Sequence, residues 1–344
     1  MRILVTGATG LVGSHAAARL AREGHAVRAL VRDPVKLARV MEEHAAGGAV
    51  ETQRGDVTDA ASVEAALRGC DALLHAAGVF SHRREDAARL RAVNVDGARI
   101  ALEAGAKAGL ARSVFVSSAL ALFPTPGPLQ RADDPVTSPR TMYAATKALA
   151  ERHARALAER CEALCITYPS MVLGPHDPTV GGGPGVLADA LRAGRVLVTE
   201  GGLSYTDARD LADFTAALLA ADRPPPRFLS PARFLSHERY HALLCELTGR
   251  DLAARRIPGS WLRGLGRACD LFERVTGRST ALTSEAALVL TRMVPVDDAP
   301  ARALLGRDPR PLDETLRDTL VWMREAGVLE AKHVGRLAAL GAMR

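Results

Sequence analysis

The chain has 344 residues, 48% of them hydrophobic and 4% aromatic, a length that suits one large α/β domain or two packed lobes. Its net charge of +6 is dispersed, and its densest pairs, Arg83-Arg84 and Arg255-Arg256, carry no interleaved aromatics; this argues against nucleic-acid binding and fits an anionic cofactor or substrate. Five cysteines (Cys70, Cys161, Cys165, Cys245, Cys269) without a Cys-x-x-Cys argue against a disulfide framework or zinc, and no apolar run reaches the ~18 residues of a transmembrane helix.

Strand-like runs at Ile3–Val5, Val27–Val31, Ala72–His75, Val114–Ser117 and Leu164–Tyr168 alternate with helical stretches. The helices are expected at Leu11–Glu23, Ala60–Arg68, Ala87–Ala108 and Thr141–Glu159, with a weaker strand at Val50–Arg54. This alternation predicts a Rossmann-like α/β fold, a doubly wound parallel sheet covered on both faces. Gly24 reads as a helix C-cap and Asp59 as an N-cap. After Pro169 the texture changes to a Gly/Pro-rich loop through Gly185, a helix at Val186–Ala193, a strand at Arg195–Val198 and a helix from Ala208 to Ala221. From Ser236 the pattern is mostly helical. The expected organisation is a dinucleotide-binding domain over 1–170, with 195–228 returning to it, and a smaller, mostly helical substrate lobe from 171–194 and 229–330. Residues 331–344 are expected to be a mobile tail. Met1 leads directly into a strand and glycine turn, so no secretory leader is expected and the cytoplasm is the expected compartment.

The most informative segment is Thr6-Gly7-Ala8-Thr9-Gly10-Leu11-Val12-Gly13. It follows a strand and opens a helix, the context a dinucleotide fingerprint requires. Gly7 permits a tight turn, Gly10 lets backbone approach a pyrophosphate, and Gly13 lets helix pack on strand. The helix N-terminus then offers unpaired N–H groups to the phosphates.

A second constellation follows. Tyr143 and Lys147 are four apart at the start of a helix and share one face. A phenol near pKa 10 is a poor acid–base group at neutral pH. A neighbouring ammonium and an oxidised nicotinamide favour the phenolate and bring it toward a useful range. Ser118 lies 25 residues earlier, where the fifth strand ends and a ligand crevice opens in such sheets; Ser117 is its rival.

The Gly-x-x-Gly-x-x-Gly spacing, with Ser118, Tyr143 and Lys147, resembles the extended branch of the short-chain dehydrogenase/reductase superfamily. That branch includes sugar-nucleotide epimerases, dihydroflavonol reductases and 3β-hydroxysteroid dehydrogenases. Gly55-Asp56-Val57 is similar to its adenine-contacting segment, His75-Ala76-Ala77-Gly78 to the segment beside the cofactor, and Val93-Asn94-Val95-Asp96-Gly97 to its mid-helix Asn motif. The resemblance implies that Tyr143 is the general acid or base, that Ser118 orients the substrate oxygen, and that Lys147 holds the nicotinamide ribose. It also implies a positioning role for Asn94, and Pro169 and Ser170 near the carboxamide. Arg32 stands where reductase-like members bind a 2′-phosphate, with Lys36 in support, so NADP is expected in preference to NAD; Asp33 is the competing feature. Asp207, Arg209 and Asp210 are expected to cap a helix and form ion pairs. His75, His82 and His176 show no metal-ligand spacing, and no metal is expected.

Departures from the family pattern narrow the chemistry. Sugar-nucleotide dehydratases place a Thr-Asp-Glu set where this chain has Ser118-Ala119-Leu120-Ala121-Leu122, which lacks a carboxylate. The run Tyr168 to Pro175 resembles the reductase and hydroxysteroid dehydrogenase forms. Phe80, Leu120, Leu122, Phe123, Met142 and Met171 are candidate pocket residues suited to a hydrophobic substrate. Trp261, Leu262, Leu265, Leu271 and Phe272, with Arg263, Arg267 and Arg274, read as a lid or core helix in preference to a membrane-surface helix. The expected activity is an NAD(P)(H)-dependent oxidoreductase that interconverts a ketone or aldehyde with an alcohol on a hydrophobic small molecule. The alternatives are a nucleotide-sugar epimerase holding NAD tightly and a non-catalytic dinucleotide-sensing regulator. The resemblance also implies a homodimer.

Overall fold

The computed structural model describes residues 1–81, 83–276, 280 and 282–340. The first strands are β1 (Arg2–Thr6), β2 (Ala26–Val31), β3 (Val50–Arg54), β4 (Ala72–His75), β5 (Arg112–Val116) and β6 (Leu164–Tyr168). They are followed by β7 (Met171–Leu173), β8 (Arg195–Val198), β9 (Gly202–Asp207), β10 (Arg227–Leu229), β11 (Arg233–Ser236) and β12 (Ala253–Arg256). The main sheet runs β10-β6-β5-β4-β1-β2-β3, and every neighbouring pair is parallel. The remaining strands form two small sheets, β11-β9-β7 and β12-β8.

The first-half helices are α1 (Leu11–Arg22), α2 (Pro34–Glu43), α3 (Ala60–Leu67), α4 (Ala87–Arg91), α5 (Ala98–Lys107) and α6 (Met142–Ala158). Later come α7 (Gly182–Ala193), α8 (Ala208–Ala220), α9 (His237–Thr248), α10 (Gly259–Thr276), α11 (Ser284–Arg292), α12 (Ala299–Leu305), α13 (Leu312–Glu325) and α14 (Ala331–Val334).

Alternating strand residues feed two cores, because successive side chains point to opposite faces. Ile3 and Val5 pack with Leu20, Leu211 and Leu218 on the α1/α8 face. Leu4 packs with Leu73, Leu102, Phe115 and Ala154 on the α3/α5/α6 face. Burial from both sides fits β4 and β6, whose residues are all buried and show no polar–apolar alternation. A third core, in which Leu244, Leu316 and Leu320 are fully buried, joins α7, α9 and α13 to β7 and β9.

Several sequence expectations change. The helix expected over Ala87–Ala108 is interrupted by a π turn at Ala92–Gly97. Helix α2 was not expected, although Asp33 caps it by accepting from the Lys36 amide and Pro34 sits in its first turn. The stretch 195–228 divides: β8 and β9 join the small sheets, while α8 packs on α1 and β10 pairs with β6. The expected mobile tail is ordered through Ala339, because Val334 and Leu337 anchor it in the third core. Arg250 adds a bond to the His333 carbonyl at 2.6 Å; residues 341–344 lie outside the described residues. No described helix is long and apolar enough to cross a membrane.

Candidate active site

The strand order reverses between β1 and β4, and ligand crevices open beyond the C-terminal ends of strands at such a point. The glycine turn lies there. Gly7 has φ +78°, and a Cβ on it would stand 2.6 Å from the Ala77 nitrogen. A Cβ on Gly13 would stand 2.2 Å from the Gly7 carbonyl oxygen. Gly10 meets only that same oxygen, at 3.6 Å, so its outer side is open. Gly10 supplies no side-chain cap to α1, and the amides of Leu11, Val12 and Gly13 find no acceptor among the described residues. Thr9 and Gly10 are partly exposed at this rim. The turn is tied to the strand ends: Thr6 Oγ1 shares a 2.9 Å hydrogen bond with His75 Nδ1 and accepts from the Ala77 amide at 3.3 Å. The Ala76 amide donates to the Thr6 carbonyl at 3.2 Å, and Gly78 follows exposed. Burial depresses His75 to about 3, so its ring is neutral.

At the far end of the crevice, Arg32 is exposed and lies 3.9 Å from Asp56 Oδ2. The Asp33 carboxylate accepts from the Lys36 amide at 3.0 Å and caps α2. Lys36 is half-buried, Asp56 accepts from the Thr58 amide and hydroxyl, and Val57 is buried in the adjoining core.

Ser118 follows β5 and caps the short 3-10 turn Ala119–Leu122, its Oγ accepting from the Leu120 amide at 3.3 Å. Tyr143 occupies the first turn of α6, with the Ser118 hydroxyl near enough to favour its phenolate. Burial pushes the phenol above its ordinary value, and the neighbouring Ser118 hydroxyl opposes this. Lys147, one turn on, is buried; its ammonium donates to the Val116 carbonyl at 2.9 Å and lies 5.2 Å from the Phe115 ring centroid. Burial depresses it to about 8, against the pull of Glu151. The sequence reading expects Lys147 to lower the phenol; in the structure burial dominates Tyr143, and the ammonium donates to the Val116 carbonyl.

Ser117 points elsewhere. Its hydroxyl donates to Glu151 Oε2 at 2.7 Å, while Glu151 Oε1 accepts from Tyr168 at 2.6 Å and Arg155 at 2.8 Å. Asn94, inside the π turn, accepts from the Val79 amide at 2.7 Å and donates to the Val79 carbonyl at 2.9 Å and to Thr146 Oγ1 at 3.0 Å. Thr146 donates to the Tyr143 carbonyl at 2.8 Å. The loop after β4 is thereby held to α6. Glu151, Tyr168 and Thr146 were not singled out in the sequence.

Phe80 lies edge-on to Tyr143 with ring centroids 4.8 Å apart. Leu120, Met142 and Met171 are partly exposed, whereas Leu122 and Phe123 are buried core residues and leave the candidate pocket set. Pro169 accepts from the Ala119 amide at 3.0 Å, and Ser170 carries a buried hydroxyl without a partner. That orphan hydroxyl, the open side of Gly10 and the unsatisfied amides of Leu11–Gly13 are the features a dinucleotide requires. Asp207 caps α8 through the Arg209 amide at 2.7 Å, and Asp210 pairs with Arg307 and Arg310. The described residues hold no group of three metal-ligating side chains suited to a metal ion; His82 lies outside them. On α10, Leu262 is buried, but Trp261, Leu265, Leu271 and Phe272 are exposed, so they are not core.

Residues 3–229 match the NAD dependent epimerase/dehydratase family. The chain is 28% identical over 337 residues to sterol demethylase protein B of Methylococcus capsulatus, spanning 96% of this chain and 100% of that one. It is 30% identical over 337 residues to the 4-hydroxy-2-methyl-3-oxo-4-farnesyl-3,4-dihydroquinoline-1-oxide ketoreductase of Stigmatella aurantiaca, spanning 95% and 97% of the two chains. Among solved structures, the dTDP-glucose 4,6-dehydratase DesIV of Streptomyces venezuelae, solved with NAD and TYD bound, superposes with a TM-score of 0.74 at 22% identity over 96% of this chain and 100% of that one.

Proposed function

Since this chain belongs to the NAD dependent epimerase/dehydratase family, an enzyme family acting on CH–OH and keto groups, we propose that it is an NADP(H)-linked reductase interconverting a ketone or aldehyde with an alcohol on a hydrophobic small molecule. The observation that carries this reading is the convergence of Tyr143 and Ser118 at the C-terminal edge of the sheet, with Lys147 one helical turn away.

When bound, a nicotinamide would supply hydride to the carbonyl carbon or take it from the carbinol carbon. Ser118 donates to the substrate oxygen and fixes its position beside Tyr143. Tyr143 delivers its phenolic proton to that oxygen as it becomes an alkoxide; in the oxidative direction it takes the proton back. Lys147 spends one of its three donors on Val116 and keeps two for the ribose hydroxyls. The amides of Leu11, Val12 and Gly13 would hold the pyrophosphate, and the Ser170 hydroxyl would serve the carboxamide.

Two features support the substrate class. Phe80 packs edge-on against Tyr143, Met142 precedes it on α6, and the Ser118–Phe123 segment has no carboxylate to drive elimination. A full-length relative is named as a ketoreductase of a farnesylated quinoline oxide, which fits an apolar ketone. The preference for NADP rests on Arg32, exposed beyond β2 while Asp33 is occupied with capping. The test is Tyr143→Phe, measured by cofactor titration and by turnover on a panel of apolar ketones. Dinucleotide affinity should stay within about threefold and kcat should fall by at least ~100-fold; near-normal turnover would overturn the assignment.

A further inference from the structure

Helix α10 carries its apolar stripe on the outside. Trp261, Leu265, Ala268, Phe272 and Val275 recur at alternating steps of four and three, the spacing that keeps residues on one helix face. Trp261 is 77% exposed, Leu265 55%, Phe272 47% and Val275 78%; neighbouring Leu271 is 60% exposed. The opposite face, with Leu262 and Gly266, is buried, and a Cβ on Gly266 would stand 2.8 Å from the Thr283 carbonyl oxygen.

The charges around this stripe are sorted by sign. Asp270 faces inward and accepts from the Ser284 amide at 3.1 Å. Glu273 accepts from the Thr280 hydroxyl at 3.0 Å and pairs with Arg84 at 3.5 Å. Glu285, on neighbouring α11, is taken by the amide and hydroxyl of Thr141 at 2.9 and 2.6 Å. Arg267 and Arg274 sit along one edge of the stripe and make no ion pair among the described residues. With Arg140 they border a groove of about 270 Å³ that also includes Leu271 and Leu288. Guanidiniums beside exposed leucines can hold lipid phosphates while the apolar side chains enter the acyl boundary.

We propose that α10 is a membrane-surface helix that docks the protein on an anionic lipid bilayer, with Trp261, Leu265, Phe272 and Val275 inserted and Arg267, Arg274 and Arg140 on the headgroups. This departs from the lid-or-core expectation drawn from the sequence. The charge pattern favours lipid over a second copy of the chain: a like helix would bring the same unpaired arginines together, with the nearby carboxylates already turned inward. The Arg84–Glu273 pair joins α10 to the segment following Phe80, which lies on Tyr143, so the docked face is next to the candidate site. Docking itself does not rest on the proposed chemistry.

The test is flotation of the full chain with vesicles of phosphatidylcholine alone and of phosphatidylcholine with phosphatidylglycerol, at low and high salt. The wild type should float with the anionic vesicles, at least ~10-fold more than with the neutral ones, and raised salt should weaken binding. Leu265→Glu with Phe272→Glu should abolish flotation while circular dichroism and cofactor affinity stay unchanged. Arg267→Gln with Arg274→Gln should remove the anionic preference. Absence of wild-type flotation, or undiminished binding by the Leu265/Phe272 variant, overturns the proposal. So does a wild-type dimer that this variant converts to monomer without any vesicle binding, which would assign the face to a second copy.

Discussion

Ser117 and Ser118 are chain neighbours with opposite surroundings. Ser117 faces the buried carboxylate of Glu151, while Ser118 faces the phenol of Tyr143. Ser117→Ala should therefore cost about 1–3 kcal/mol of stability by leaving a buried acceptor short of a partner. Ser118→Ala should leave stability within about 1 kcal/mol and lower kcat by ~100-fold or more; denaturant melts and turnover assays on the pair check both. Arg32→Ser should raise the KM for NADPH about tenfold and change that for NADH little, because a guanidinium pairs with phosphate rather than with a hydroxyl. Steady-state kinetics with the two cofactors decides it. The sequence separated these residues unevenly. Gly7, Gly10 and Gly13 were legible because their steric reasons are local. Glu151 was not, because its bond to Ser117 joins residues 34 apart, and only the packing of α6 on β5 and β6 brings them together.

At the scale of elements, the π turn at Ala92–Gly97 presents Asn94 to both the Val79 backbone and Thr146. Inserted turns of this kind recur at functional sites. Asn94→Ala would strand the Val79 amide and carbonyl, and should cost about 2–3 kcal/mol. It should also loosen the loop that carries Phe80 beside Tyr143, raising the substrate KM while cofactor affinity holds. Unchanged KM with lowered stability would limit Asn94 to a structural part. The Asn motif was readable in the sequence, but its backbone geometry was not, since a one-residue insertion leaves little trace in an apolar pattern. The α2 helix shows the reverse: Asp33 and Pro34 are its cap and first turn, yet in the sequence Asp33 reads only as a competitor of Arg32 for the cofactor. Strand β12, Ala253–Arg256, has no strand-like pattern at all and forms by pairing with β8.

At the scale of the molecule, burial holds three histidines neutral. His15 is depressed to about 4, His75 to about 3 and His44 to about 2. His15, His44 and His176 pack ring against ring, with His15 and His44 centroids 4.4 Å apart. An unfolded histidine titrates near 6.5, so below that pH the unfolded chain binds protons that the folded chain refuses. Their contribution is complete above pH 6.5 and is lost progressively as pH falls toward the folded values. Stability should drop by about 1 kcal/mol per histidine between pH 6.5 and 5.5, about 3 kcal/mol in all. Urea melts across that range check it; a flat profile would show that these rings gain protons in the native state. The parallel sheet was legible because its strands are buried on both faces and alternate with helices. The second lobe was not, because its short strands pair across long separations, as Arg233 of β11 does with Tyr205 of β9.

The central claim is that Tyr143 and Ser118 serve a hydride transfer to an apolar carbonyl. It is tested most directly with NADPH deuterated at the transferring position and an apolar ketone panel, followed by mass analysis of the alcohol. The account predicts one deuterium on the carbinol carbon per cofactor oxidised, and none from Tyr143→Phe, which still binds NADPH. Tight cofactor binding with no label transferred to any ketone, or interconversion of sugar nucleotides without net cofactor oxidation, would contradict it.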